Sequence, residues 1–67
     1  MMEKYFLFGA GINCYGVIHF FGKESIIAII DSDIRKQGTD VEGIPVISLD
    51  EYIKSNHKEQ IIISGFI

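Results

Sequence analysis

The segment that most constrains the fold is Ser25-Ile26-Ile27-Ala28-Ile29-Ile30, which is apolar and largely β-branched after its serine. A strand with one wet face alternates apolar and polar residues. Continuous apolarity instead marks a parallel strand covered on both sides. Residues 4–8, Lys-Tyr-Phe-Leu-Phe, read as a first buried strand that ends at Gly9. Parallel neighbours need a crossover, and the only segment available for it is residues 12–21, closed by Gly22 as a C-terminal cap. Gly16, Val17, Ile18, Phe20 and Phe21 are weak helix formers, so packing has to impose the helix against local preference.

The next stretch, DSDIRKQGTDVEGIPVIS, is polar and glycine-marked up to Gly43 and reads as a loop. Ile44-Pro45-Val46-Ile47 then forms a short strand, which Pro45 confines to a sheet edge or to a strand's first residues. Ser48 and Glu51 have capping-box spacing, opening a helix of about two turns with Tyr52 and Ile53 as its apolar stripe and Ser55-Asn56 at its end. A fourth strand runs from Gln60 to Ser64. Right-handed crossovers then favour a parallel sheet ordered 3-2-1-4 with about two helices. The expectation is an α/β fold over residues 1–67, a truncated Rossmann-like half that lacks the C-terminal half.

Sixty-seven residues allow one small domain, and a chain of this size buries only about 60% of its unfolded surface. One cysteine forms no internal disulfide, and Cys14, His19 and His57 are too scattered to frame a metal. An apolar C-terminal run, IIISGFI, at a sheet edge, together with Phe20 and Phe21, adds to the expectation of a homo-oligomer or of docking to a catalytic domain. Six basic against nine acidic residues, net −3, argue against a nucleic-acid partner. No run reaches the roughly 18 apolar residues of a membrane span, and Glu3 and Lys4 precede a run that breaks at Gly9, unlike a signal peptide. A cytoplasmic, reducing setting is expected.

The chemistry concentrates in YFLFGAGINCYG. In a phosphate-binding βα turn the first glycine makes the tight turn and the second lets a pyrophosphate approach the backbone. The third lets helix pack on strand. Gly9 and Gly11 fill the first two roles, and Cys14 is small enough for the third, a register preferred over one using Gly16, which is left to ease contact with the first strand. Ile12 belongs to the same turn, and Asn13 is placed as N-cap or amide donor to phosphate. Asp31 follows Gly11 by twenty residues at the end of the second strand, where a dinucleotide site wants a carboxylate for ribose hydroxyls. Each feature also has a plainer reading: a ligand-free structural turn, and an acid that caps its neighbouring loop. Asp33 reads as a turn residue, and Arg35-Lys36 as solvated loop in preference to a pair that meets a 2′-phosphate. Asp31 would repel a 2′-phosphate, so NAD-like ligands outrank NADP-like ones. Cys14 reads as packing rather than a reactive thiol, His19 as a surface residue, and His57 as favourably placed near a helix C-terminus. Ser64 and Gly65 fall on the rim where open α/β sheets bind ligands. No spacing supports a catalytic triad, a carboxylate pair or a metal site.

The segments FGAGINCYG, IIDSDIRKQG and VEGIPVISLDEY resemble the small Rossmann-like nucleotide-binding domain of bacterial polysaccharide-biosynthesis proteins. That domain occurs at the N-terminus of sugar O-acyltransferases and of nucleoside-diphosphate-sugar dehydratase-like proteins. The three segments cover nearly the whole chain. The resemblance implies a 3-2-1-4 sheet and a cleft for a nucleotide, an NAD-like dinucleotide or a nucleotide-sugar. Gly9, Gly11 and Cys14 match its turn, and Asp31 its ribose acid. Cys14 stands in place of glycine, and Tyr15 and Gly16 replace the usual small or basic residues. The domain often accompanies a catalytic partner, so the implied role is binding in a surface-sugar context rather than catalysis.

Overall fold

A computed structural model describes residues 4–11, 14–55 and 60–63. In chain order the elements are β1 (Tyr5–Phe8), α1 (Cys14–Phe21), a 3-10 turn (Lys23–Ser25), β2 (Ile26–Ile30), β3 (Asp40–Val41), β4 (Ile44–Ile47), α2 (Leu49–Ser55) and β5 (Gln60–Ile63). They form one five-stranded sheet ordered β3-β4-β2-β1-β5. The pairs β1–β2, β1–β5 and β2–β4 are parallel, whereas β3–β4 is antiparallel.

The sheet is therefore mixed, not wholly parallel, and it has five strands where the sequence reading counts four. The fifth comes from the stretch read as loop. Glu42 and Gly43 both have positive φ, 53° and 85°, the signature of a two-residue type I′ turn whose twist suits a hairpin. Asp40 and Val41 pair across it with Pro45 and Ile44. This hairpin also settles Pro45. β4 is not an edge strand, but its pairing with β2 involves only Val46 and Ile47, and Val46 N–H, not Pro45, donates to the Thr39 carbonyl at 2.9 Å. The missing proline N–H costs no ladder bond.

β2 is buried almost throughout, as its unbroken apolarity requires. On one side of the sheet Leu7, Ile26, Ile29, Ile44 and Val46 pack with Cys14 and Ile18 of α1. On the other, Phe6, Ala28 and Ile30 are covered by Ile27, Ile47 and Tyr52, whose ring meets Phe6 edge-on at 4.8 Å. Each such large apolar side chain contributes about 1.5–3 kcal/mol by leaving water, which is how α1 overrides its weak propensities. Gly22 ends α1 by donating its N–H to the Ile18 carbonyl at 2.7 Å and then turning the chain away with φ 88° and ψ 132°, a positive-φ conformation that favours glycine but is not the αL one.

The capping box of α2 forms in both directions. Glu51 N–H donates to Ser48 Oγ at 3.0 Å, and Ser48 N–H donates to Glu51 Oε1 at 3.2 Å. The stripe on α2 is narrower than expected, because Ile53 is 63% exposed while Tyr52 does the covering. On α1, Phe21 stacks against Tyr5 with ring centroids 5.1 Å apart, but Phe20 is 82% exposed. No helix among the described residues is long and apolar enough to cross a membrane.

Candidate functional site

Strand order brings Gly9, Ala10 and Gly11, at the C-terminal end of β1, beside Asp31 at the C-terminal end of β2. Gly9 has φ 107°, a conformation L side chains rarely adopt, and its N–H donates to the Ile30 carbonyl at 2.8 Å. Glycine is needed there by the backbone itself. Gly11 differs. Its φ lies outside the left-handed region, it is exposed, and a Cβ built on it would meet nothing within 4 Å. Among the described residues nothing requires a glycine at that position.

The third position of the turn is occupied by Cys14, fully buried between α1 and the sheet. Gly16 does not ease contact with β1. It is exposed, and a Cβ there also meets nothing within 4 Å. Close approach of helix to strand is thus made at Cys14. Burial pushes the Cys14 thiol up, with the charge of Lys36 opposing that shift, which favours the neutral thiol in a packed position.

Asp31 is held by the protein on both carboxylate oxygens. Its Oδ2 accepts the Ala10 N–H at 2.7 Å and its Oδ1 accepts the Asp33 N–H at 2.8 Å. The acid therefore caps its own loop and ties the glycine turn to β2. Its backbone is also fixed, because Asp31 N–H donates to the Ile47 carbonyl at 3.0 Å and the Asp31 carbonyl accepts from Gln37 Nε2 at 2.8 Å. The turn's middle amide is thus already committed, while the Gly11 N–H has no partner among the described residues.

The loop after β2 folds back over the turn. Asp33 is a turn residue as expected, accepting the Arg35 N–H at 3.0 Å and gripping the Arg35 guanidinium through both oxygens at 3.1 Å. Those hydrogen bonds from Arg35 hold the Asp33 carboxyl below its ordinary range. Lys36 is half-buried, and its Nζ donates to the Ala10 carbonyl at 3.4 Å. By sequence Arg35 and Lys36 form one adjacent basic pair in a solvated loop. The structure separates them: Arg35 is neutralised by Asp33, and Lys36 stands over the glycine turn. Only the register of the loop, which sequence does not encode in any local motif, places that ammonium there.

Of the other expected site residues, Ile12, Asn13 and Ser64 lie outside the described residues, as do His57 and Gly65. His19 is a surface residue, its Nε2 3.6 Å from Glu42 Oε2. It lines a shallow groove of about 300 Å³ with Ile18, Gly22, Lys23, Glu24 and Glu42. This groove is lined from the second half of α1, the 3-10 turn and the β3–β4 turn, and by none of the glycine-turn residues. Its walls carry solvated charges of both signs, and no three metal-ligating side chains converge among the described residues.

The arrangement at the β1 and β2 ends offers an open glycine amide, a carboxylate with spare acceptor capacity and an ammonium, within one hydrogen-bonded unit. Comparison with known proteins adds nothing to these features: no protein-family model matches the chain, and no curated protein matches it.

Proposed function

We propose that this chain is a nucleotide-binding module, the first half of a doubly wound Rossmann-like fold, that binds an NAD-like dinucleotide or a nucleotide-sugar and serves bacterial surface-sugar synthesis without catalysing a reaction itself. The observation that carries the reading is the pairing of the Gly9–Gly11 turn with Asp31 across adjacent parallel strands, tied by the Ala10–Asp31 hydrogen bond. In open α/β sheets ligands bind outside the carboxyl ends of the strands, and both features stand there. A carboxylate has about four acceptor positions, and the protein's backbone takes two of Asp31's. The others serve ribose hydroxyls. Gly11 is compatible with the reading, since the space beside it is open to a ligand. The surface-sugar context rests on the resemblance of the three sequence segments. Calorimetric titration with NAD, UDP-glucose and acetyl-CoA tests the reading. Saturable binding of a ribose phosphate ligand is expected, and none by the folded protein at millimolar ligand refutes it.

A second reading is favoured by a different observation. Phe20, Ile34 and Ile53 are 82%, 79% and 63% exposed, and β5 is an edge strand with Ile61 partly exposed. Such surfaces suit an assembly module that self-associates or docks to a catalytic domain, keeping the glycine turn for packing. Light scattering across concentration is expected to show association, and a strict monomer refutes it.

A further inference from the structure

We propose that Lys36 is the anion-recognition group of this site, so that the site takes phosphate-bearing nucleotides and discriminates against nucleosides and adenosyl ligands without a phosphate. The inference rests on the nucleotide-binding reading above and narrows it. The glycine turn offers a phosphate only uncharged backbone amides, and the acid's contact is to the ribose, common to both ligand classes, so a charged group is what would separate the two classes strongly.

Lys36 supplies the distinction. Its ammonium reaches the Ala10 carbonyl at 3.4 Å, a long contact at the outer limit of a hydrogen bond, which a phosphate oxygen replaces at shorter range and with opposite charge. Among the described residues Lys36 makes no ion pair, whereas its neighbour Arg35 is bound through two guanidinium nitrogens, Nε and Nη2, to Asp33. The charge is therefore not spent on a carboxylate. The loop that carries it is also fixed before any ligand arrives. Lys36 N–H donates to the Asp33 carbonyl at 2.9 Å, the Lys36 carbonyl accepts from Thr39 Oγ1 at 2.6 Å, and Gln37 binds the Asp31 carbonyl. Ala10 is held from both sides, its N–H by Asp31 and its carbonyl by Lys36. The backbone that carries Lys36 is thus hydrogen-bonded in place beside the turn that presents the Gly11 amide, so binding orders only the Lys36 side chain.

The test compares the unaltered protein with Lys36→Met, which keeps the aliphatic stem, and Lys36→Arg, which keeps the charge. Titrations use NAD and UDP-glucose against adenosine and uridine, at low and high salt. Lys36→Met is expected to bind NAD or UDP-glucose about tenfold or more weakly, with a flatter salt dependence, while Lys36→Arg recovers most of the affinity. Adenosine and uridine are expected to bind more weakly than their phosphate-bearing counterparts and to be indifferent to Lys36→Met. Equal nucleotide affinity in the unaltered protein and Lys36→Met, with the thermal midpoint unchanged, overturns the role of Lys36 and leaves the nucleotide reading standing. Nucleosides binding as tightly as nucleotides overturns the phosphate selection. Failure of the unaltered protein to bind any of the four ligands overturns both.

Discussion

Replacing Gly11 by alanine separates a glycine kept for a ligand from one kept for the fold. A Cβ at this position meets nothing within 4 Å, and φ is outside the left-handed region. In such a backbone a Gly→Ala change stabilises by about 0.4–1 kcal/mol, because it restricts the unfolded chain. For a domain of this size each kcal/mol moves the thermal midpoint by about 4–8 °C, so the variant is expected to melt about 2–8 °C higher. The same methyl group stands where the reading places the pyrophosphate. Forcing an extra carbon into a close contact costs about 1–3 kcal/mol, which is about 5- to 150-fold in affinity. A melting scan and a calorimetric titration with NAD and UDP-glucose on the same sample read both effects. The expected result is opposite in sign on the two axes: a more stable protein that binds less well. A lower midpoint would mean the fold itself needs this glycine, and unchanged affinity would remove Gly11 from the site.

Gly16→Ala is the matching control. It lies inside α1 with open space around it, so a gain of about 1 kcal/mol from helix propensity is expected, with nucleotide affinity unchanged in the same titration. Asp31→Asn keeps one acceptor oxygen for the two backbone donors that the carboxylate serves. The variant is expected to lose about 1–3 kcal/mol in denaturant unfolding, as well as ribose binding, so its affinity has to be read beside its stability. Asp33 titrates below its ordinary value of 3.8 because Arg35 donates hydrogen bonds to its charged form. A depressed folded pKa contributes stability that is present above the unfolded value and lost as pH falls through the folded one. Following the Asp33 carboxyl by NMR from neutral pH downward checks this, and Arg35→Gln is expected to return it toward the ordinary value.

What was legible in the sequence, and what was not, follows from how local each signal is. The β2 run announced a strand covered on both faces, since nothing but a buried position tolerates five apolar residues in succession. Ser48 and Glu51 announced the start of α2 because a capping box is complete within four residues. That Asp31 lies beside the Gly9–Gly11 turn was legible by spacing, because two parallel strands and a crossover fix the distance along the chain. The β3–β4 hairpin was missed: Glu42-Gly43 lacks the Asn-Gly or Asp-Gly of the strongest turn signals, and its strand is two residues long. Ile53 was misplaced because one turn of a short helix does not define a face. The clamp on Ala10 was beyond reach, since it joins Asp31 and Lys36 to a peptide more than twenty residues away through the conformation of the intervening loop.

The central claim is that the ends of β1 and β2 form a nucleotide site. Amide-resolved NMR titration of the folded protein with NAD and with UDP-glucose tests it most directly. The account predicts saturable shifts at Gly9, Ala10, Gly11, Asp31 and Lys36, with the groove residues His19, Lys23 and Glu42 unmoved. Spectra that stay unchanged to millimolar ligand, or shifts centred on the groove instead, would contradict it.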